Sequence, residues 1–289
     1  MFYKGHGLGN DYLAVDGSKL PFALSPPAVR LLCDRHTGMG SDGLLVRDPS
    51  SLAEFGIRIY NPDGSEAEKS GNGLRIFAAY LAEEGAVKVG SLFSVETKGG
   101  IVRLEIIDIS ADGVYNIEAE MGTASFLSSA VGLEGPEREV DGEVLELPGG
   151  DKVAIRTVSI GNPHCVCFED ELMVEDLRRR GPQISTHPWF ARGINVQFAR
   201  AVAPDEVEAF VWERGAGETM ASGSSACAVA AAAVKAGLVQ ERAVRVRMPG
   251  GTLLVTVGDQ WELLLQGPVE SVYRGELERG FLKRLQELG

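Results

Sequence analysis

The sequence predicts an α+β or mixed α/β fold of two similar domains, each with a curved sheet around one central helix. Two observations carry this prediction. Ser70 and Ser222 lie 152 positions apart (222 − 70), and each opens a small polar turn that leads into an apolar helical stretch. Strand-like segments also outnumber helical ones, with one strong buried helix in each half.

Other landmarks recur at the same spacing. Their common order indicates a duplicated fold rather than chance similarity among glycine-rich turns. We therefore expect pseudo-two-fold symmetry that places the two serine turns face to face across a cleft. The pairs are Gly9-Asn10 with Gly161-Asn162, Tyr60 with Trp212, Glu66 with Glu218, Gly43 with Asn195 and, one residue out of step, Gly99-Gly100 with Gly250-Gly251.

The repeat sets the expected domains. The first spans residues 1–124, with 268–289 packing back on it, and the second spans 125–267; residues 125–150 are predicted to form a connection and a solvated hairpin edge. Hydrophobic periodicity and turn residues predict the elements within them. Strands are expected at 12–15, 44–47, 57–61, 93–97, 101–107 and 115–121, helices at 26–34, 71–83, 172–181 and 224–236, and an amphipathic segment at 273–288.

Composition restricts the function classes. The chain has 289 residues, 44% of them hydrophobic and 24% charged, which is enough for two ordinary cores. Its net charge of −13 argues against nucleic acid or an anionic membrane as a partner, because either needs a basic surface. The first 17 residues contain no apolar run typical of a signal peptide, and no segment is long enough to span a membrane. We therefore expect a cytoplasmic protein.

Four cysteines lie in apolar surroundings without the spacing of a redox pair or a zinc site. We expect buried, reduced thiols and no metal. They are Cys33, Cys165, Cys167 and Cys227.

Ser70 and Ser222, here called the lip serines, each stand beside a potential anion cradle. A turn of Gly, Asn and Ser at a helix start leaves backbone N–H groups free, and the helix dipole favours an anion in front of them. A side chain at the lip of such a cradle can reach an atom bonded to the anion. The cradle residues are Gly71 and Asn72 in the first half and Gly223 and Ser224 in the second.

Further polar side chains lie in loops at equivalent strand ends. Taken singly, His164 suggests a structural hydrogen bond and the pair Glu213-Arg214 a surface ion pair. The repeat instead predicts that they converge with the cradles. Amides and a guanidinium without metal ligands suit a carboxylate and an ammonium on a small polar substrate. The asparagines in this set are Asn10, Asn61, Asn162 and Asn195.

Together these residues resemble the diaminopimelate epimerase family, over nearly the whole chain. The resemblance implies cofactor-independent conversion of L,L- to meso-diaminopimelate, an amino acid of lysine and peptidoglycan biosynthesis, by two-base proton transfer. The matching segments are His6-Gly7-Leu8-Gly9-Asn10-Asp11, Cys33-Asp34-Arg35-His36, Gly38-Met39-Gly40, Asn61-Pro62-Asp63-Gly64-Ser65, Gly71-Asn72-Gly73-Leu74-Arg75, Gly161-Asn162-Pro163-His164, Asn195-Val196 and Glu213-Arg214-Gly215-Ala216-Gly217.

The resemblance also implies residue roles. His164 and Glu213 would partner the two catalytic groups, and Glu213 would also contact the substrate. The distal end of the amino acid would be held by Asn61, Asn162, Asn195 and Arg214. Its reacting carboxylate would lie on Gly71, Asn72, Gly223 and Ser224, beside Asn10. We expect a small amino-acid substrate, neither nucleic acid nor a membrane as partner, no cofactor, and we leave a homodimer open.

The chain departs from the family at the two catalytic positions, where Ser70 and Ser222 replace cysteines. A thiol has a pKa of about 8.5, which falls to roughly 3.5–7.5 beside a helix N-terminus or a cation. A hydroxyl offers no comparable base, because proton transfer works best when the catalytic pKa lies near the working pH. Family members often carry Gln where this chain has Gly43, an exchange we expect to be neutral for function.

Three interpretations of the serines stay open. An exchange of one atom at two positions, with the surrounding residues unchanged, favours an engineered, inactive or strongly impaired epimerase. The alternatives are a natural, non-catalytic diamino-acid binding protein and an isomerase or dehydratase of the same fold that uses His164 or Glu213 as its base.

Overall fold

A computed structural model describes all 289 residues. The chain divides into two compact units. Unit 1 comprises Met1–Ala119 and Gly267–Gly289, and unit 2 comprises Glu120–Gln266. None of the helices has the length and apolar character needed to cross a lipid bilayer.

Unit 1 begins with an antiparallel hairpin and continues through two parallel crossovers. Gly9, at the hairpin turn, has φ +85°, a conformation that glycine adopts without strain. The elements are β1 (Phe2–Gly7), β2 (Asn10–Asp16), α1 (Pro26–Cys33), β3 (Leu44–Asp48), β4 (Phe55–Tyr60), β5 (Glu66–Ala67), α2 (Gly71–Glu83), β6 (Leu92–Thr97), β7 (Gly100–Ile109) and β8 (Tyr115–Thr123).

Unit 2 repeats this order after one added strand. Its hairpin glycine, Gly161, has φ +96°. The elements are β9 (Asp141–Glu146), β10 (Lys152–Ser159), β11 (Pro163–Phe168), α3 (Val174–Ser185), β12 (Asn195–Ala203), β13 (Glu206–Glu213), β14 (Gly217–Thr219), α4 (Gly223–Lys235), β15 (Ala243–Met248), β16 (Gly251–Val257) and β17 (Glu262–Gly275), whose last residues belong to unit 1 and precede α5 (Arg279–Gln286).

Strand pairing confirms the duplication. The hairpins β1–β2 and β10–β11 are antiparallel, and both lead through a helix to a parallel neighbour, β2–β3 and β11–β12. The later strands match as well: β4–β6 and β13–β15 are parallel, whereas β6–β7 and β15–β16 are antiparallel. Apart from the added β9, the two units therefore share the same core strands in the same pairing.

The central helices are the most deeply buried elements. In α2, every residue from Asn72 to Leu81 is buried, and the helix packs against β1, β2 and β7. In α4, six alanines between Ala226 and Ala233 are buried, and the helix contacts six strands of its unit, β10–β13, β15 and β16. Small side chains allow that close approach. The two-domain α+β fold with a sheet around a central helix is thus confirmed.

Several element bounds differ from the sequence expectations. The helix expected at 172–181 runs from Val174 to Ser185 and includes Pro182. The amphipathic segment at 273–288 is divided: β17 continues to Gly275 because it pairs with β1, and only Arg279–Gln286 is helical. Leu285 of that helix is fully buried in the unit 1 core with Phe2 and Leu13. All four cysteines are buried and free of disulfides.

Candidate active site

The lip serines occupy the N-cap positions of the two central helices in nearly the same backbone conformation. Ser70 precedes α2 with φ −141° and ψ 117°, and Ser222 precedes α4 with φ −145° and ψ 124°. Both helices contain 13 residues and begin one residue after the serine. The structure therefore places the two positions at equivalent helix N-termini, where the dipole favours negative charge.

The Ser70 hydroxyl is held on two sides. Its Oγ accepts a hydrogen bond from the Gly73 N–H at 3.0 Å, the normal N-cap contact. It also lies 3.2 Å from the Tyr12 hydroxyl, with which it shares a hydrogen bond. Tyr12 is 8% exposed. An anionic atom at this position would thus face one backbone donor, one phenol donor and the start of α2.

A chain of amides lies beside Ser70. Arg75 is fully buried and donates from Nη2 to Asn72 Oδ1 at 2.6 Å. Asn72 Nδ2 then donates to Asn10 Oδ1 at 3.2 Å, and Asn10 Nδ2 donates to Asp42 Oδ2 at 2.9 Å. Because every contact has a fixed donor, the amide orientations of Asn72 and Asn10 are both set.

An ionic cluster anchors that chain. Arg35 bridges Asp11 and Asp42 with 2.6 Å contacts to each, and Lys4 lies 2.8 Å from Asp11. Burial raises the pKa of Asp11, but hydrogen bonds from Arg35 and Lys4 outweigh it and lower that pKa to about 2. The Asp11 carboxylate therefore remains ionised, and Asp42 Oδ2 accepts from Asn10.

Asn61 lies just after β4 and is not part of this series of hydrogen-bonded amides. Its Nδ2 donates to Ser65 Oγ at 3.0 Å, and its backbone N–H donates to the Ser65 carbonyl. These contacts close the turn that follows the strand.

The second lip serine has different partners. Ser222 is 6% exposed, and its side chain makes no N-cap hydrogen bond to α4. Its Oγ lies 3.5 Å from Ser224 Oγ. Burial raises the pKa of Glu213, opposed in part by a hydrogen bond from Ser222. Ser222 is therefore next to a carboxyl group, whereas Ser70 is next to a phenol.

His164 is completely buried at the start of β11, with both ring nitrogens occupied. Nε2 lies 3.0 Å from Asn162 Oδ1, and Nδ1 lies 3.0 Å from Gln197 Nε2. Burial, with a smaller contribution from the Arg214 charge, lowers the pKa of His164 to about 3. The imidazole is neutral at physiological pH, and its hydrogen-bond partner toward the helix turn is Asn162.

Asn195 ties the Arg214 turn to the hairpin loop. Its Nδ2 donates to the Pro163 carbonyl at 3.0 Å, and its Oδ1 accepts from the Arg214 backbone N–H at 2.9 Å. The exposed Arg214 guanidinium donates from Nη1 to the Arg192 carbonyl at 3.1 Å. Its side chain packs over Gly193, where an added Cβ would lie 3.2 Å from Arg214 Cδ.

The expected site residues divide between the two units. Unit 1 contains Asn10, Asn61, Ser70, Gly71 and Asn72. Unit 2 contains Asn162, His164, Asn195, Glu213, Arg214, Ser222, Gly223 and Ser224.

Tyr12, Gln197 and Asp42 contact expected site residues but were not among those predicted from the sequence. Tyr12 is the repeat counterpart of His164, so the 152-residue spacing could have indicated it. Gln197 is a polar residue inside the apolar strand β12, two positions after Asn195. Asp42 carried no comparable signal, because its contact with Asn10 depends on tertiary structure.

The chain matches the family model for diaminopimelate epimerase over residues 2–127 and 156–272. It is 43% identical over 277 residues to diaminopimelate epimerase 2 of Nostoc sp., covering 96% of this chain and 95% of that protein. It is 42% identical over 278 residues to diaminopimelate epimerase of Pelotomaculum thermopropionicum, covering 95% and 98%.

Solved structures share the fold. A hydroxyproline epimerase from Agrobacterium vitis superposes with a TM-score of 0.68 at 13% identity, covering 94% of this chain and 90% of that one. A phenazine biosynthesis protein from Bacillus anthracis gives a TM-score of 0.65 at 16% identity, covering 96% and 98%. At these identities the likeness concerns the fold alone.

Proposed function

The chain belongs to the diaminopimelate epimerase family, and we propose that it is an epimerase framework for L,L- and meso-diaminopimelate whose two acid–base positions carry serine. It would bind the amino acid without a cofactor. As it stands, it would transfer the α-proton very slowly or not at all. The serines at positions that the family fills with cysteine explain that impairment.

The single observation that carries this proposal is the equivalence of Ser70 and Ser222. Both are N-caps of buried 13-residue helices with nearly the same φ and ψ. A thiol at such a position gains thiolate character from the helix N-terminus. A hydroxyl there remains protonated and serves as a hydrogen-bonding group, so the position keeps its geometry while losing its base.

We infer different tasks for the two positions from their surroundings. At position 70, the Tyr12 hydroxyl and the Gly73 N–H both stabilise an anion, which suits the group that removes a proton. At position 222, burial raises the pKa of Glu213, and a hydrogen bond from Ser222 opposes that shift in part. That arrangement suits a group that is protonated before it donates.

The proposed binding groups fit an amino acid with two charged ends. Backbone N–H groups of Gly71, Asn72, Gly223 and Ser224 would hold the reacting carboxylate. Asn10 would line the same site, and the Arg214 cation would hold the distal carboxylate with help from Asn61, Asn162 and Asn195.

The binding-protein alternative rests on the hydrogen-bonded polar side chains and not on the lip serines. The amide and guanidinium groups are ordered by internal hydrogen bonds, as a ligand-binding surface requires. An isomerase or dehydratase that uses His164 is less well supported, because both ring nitrogens are occupied and the imidazole is completely buried. Glu213, whose pKa is raised, is the better base for such a reaction.

The test is deuterium exchange at the α-carbon of diaminopimelate, without added pyridoxal phosphate or metal. We expect binding but negligible exchange by the unaltered chain, and epimerisation with exchange by the Ser70→Cys, Ser222→Cys double variant. Each single variant is the matched control and is expected to epimerise far more slowly. A double variant that binds diaminopimelate but exchanges no proton would support the binding-protein alternative. Exchange by the unaltered chain that Glu213→Gln abolishes would support the Glu213 base.

A further inference from the structure

A completely buried amide lies behind His164. Gln197 is fully buried on β12, and its Nε2 lies 3.0 Å from His164 Nδ1 and 3.0 Å from Ser225 Oγ. Its Oε1 is buried without a hydrogen-bond partner. An amide nitrogen has two N–H donors and no acceptor site, so both of its contacts are donated by Gln197. Gln197 therefore acts on His164 as a donor.

A donor at Nδ1 fixes the imidazole tautomer. If Gln197 donates to Nδ1, the neutral ring must carry its proton on Nε2, from which it donates to Asn162 Oδ1. That contact in turn orients the Asn162 amide, whose Nδ2 donates to Ser224 Oγ at 3.4 Å. The orientation of Gln197 is thus transmitted through two side chains to the first turn of α4.

The far end of this series lies in the first turn of α4. Ser224 Oγ accepts from Asn162 Nδ2 at 3.4 Å and lies 3.5 Å from Ser222 Oγ. The hydrogen bonds from Gln197 to Ser224 therefore all run in one direction.

We propose that Gln197 is a positioning residue for substrate binding. Its buried amide holds His164 as the Nε2–H tautomer and thereby fixes the orientation of the Asn162 amide oxygen and nitrogen at the ligand. This inference rests on the proposed function, because it assumes that Asn162 contacts the amino acid. His164 then connects Gln197 on β12 to Asn162, which contacts the first turn of α4.

The tautomer is tested directly on the unaltered chain. NMR of isotope-labelled imidazole nitrogens distinguishes a protonated from a bare ring nitrogen. At pH 7 we expect His164 to show a protonated Nε2 and a bare Nδ1. A protonated Nδ1, or a doubly protonated ring, would overturn the proposal. This measurement requires neither a variant nor a ligand.

The consequence for binding is tested with Gln197→Met, which preserves the length of the side chain and removes the donor. We expect a mixed His164 tautomer and diaminopimelate binding weakened about tenfold, the effect of one well-oriented hydrogen bond. The matched control is Ser225→Ala, which removes the other partner of Gln197 Nε2. It should preserve both the tautomer and the affinity, although it also removes a buried hydrogen bond.

The outcomes separate this proposal from the proposed function. If the unaltered chain binds no diaminopimelate by titration calorimetry, the proposed function fails, while the NMR result still determines the tautomer. If it binds, and Gln197→Met folds with unchanged tautomer and affinity, the positioning role fails alone. Equal losses in Gln197→Met and Ser225→Ala would indicate a structural contribution of the buried network and would also overturn it.

Discussion

Tyr12 and His164 occupy the same position in the two repeats but have different hydrogen-bond partners. The Tyr12 hydroxyl reaches the lip serine of its own unit, 3.2 Å from Ser70 Oγ. His164 lies one position into β11 and bonds to Asn162 and Gln197. The duplicated fold has therefore given one unit a direct contact with the lip residue and the other an indirect one.

The first prediction concerns Tyr12 as a donor to the catalytic group at position 70. In the Ser70→Cys, Ser222→Cys background, Tyr12→Phe should lower kcat about tenfold with little change in KM. The reason is that a charge-assisted hydrogen bond to an anion is worth about 1.5–3 kcal/mol. Epimerisation kinetics measure the effect. Titration of thiolate absorbance in Ser70→Cys, with and without Tyr12→Phe, should show a higher thiol pKa when the phenol is absent.

Tyr3→Phe is the matched control, because the Tyr3 hydroxyl bonds to Ser271 and not to the lip residue. It should leave both kcat and the thiol pKa unchanged. An unchanged thiol pKa in the Tyr12→Phe variant would refute the assigned role.

The second prediction concerns Gly43, whose missing side chain makes room for the Tyr12 ring, so in this chain we now expect a side chain there to be harmful rather than neutral. A Cβ at this position would lie 2.5 Å from Tyr12 Cε1 and 2.6 Å from the Tyr60 carbonyl oxygen. Gly43→Ala should therefore lower the free energy of unfolding by about 1–3 kcal/mol and move the Tyr12 ring away from Ser70. Denaturant unfolding measures the loss.

Gly280→Ala provides a control for adding a methyl group. Gly280 lies in α5, and no atom stands within 4 Å of its Cβ position. We expect it to be neutral or slightly stabilising, since Ala favours helix. If Gly43→Ala proved equally harmless, the close packing of Tyr12 against Gly43 would not constrain the ring.

Local signals account for the parts of the fold that could be predicted. A capping serine, a flexible turn and a long apolar run located α2, and the repeat transferred the same assignment to α4. By contrast, β1 pairs with β17 across most of the chain, and its sequence, Phe2–Gly7, contains two glycines and no regular alternation of hydrophobic and polar residues. Its formation depends on a partner that the local pattern does not show.

For the site, too, local sequence signals indicated some features, and tertiary packing determined the others. Residue types and spacing pointed to the lip serines, the asparagines and Arg214. Whether a side chain faces a lip serine, as Tyr12 does, or a buried amide, as His164 does, depends on tertiary packing. The space left by Gly43 illustrates this dependence, because one absent side chain determines where a ring 31 positions away can lie.

The third prediction is an acid sensitivity caused by His164. Its folded-state pKa of about 3 lies below the ordinary value of about 6.5, so below pH 6.5 the unfolded chain binds a proton that the folded chain does not. The stabilisation is complete above pH 6.5 and is lost as the pH falls toward 3, at about 1.4 kcal/mol per pH unit. Unfolding free energies between pH 7 and pH 4.5 measure this slope.

His164→Gln should flatten that slope, whereas His36→Gln, at an exposed position, should preserve it. Both comparisons are made against the unaltered chain, so that carboxylates titrating in the same range contribute equally. Identical slopes in all three proteins would mean that His164 takes up a proton without loss of stability.

The last prediction tests Arg214 as the group that selects for a distal carboxylate. Its guanidinium is exposed, and its position is fixed by the Arg192 carbonyl and by packing over Gly193. L-Lysine has the carbon chain and both amines of diaminopimelate but lacks the second carboxylate, so the two ligands differ at the proposed contact. Arg214→Ala should weaken binding of diaminopimelate at least tenfold while changing lysine binding little, since a charge-assisted contact is worth about 1.5–3 kcal/mol. Arg245→Ala, which removes a surface arginine paired with Asp205 and Glu206, is the control and should affect neither ligand. Titration calorimetry with both ligands measures the difference, and equal losses for the two would place Arg214 away from the distal carboxylate.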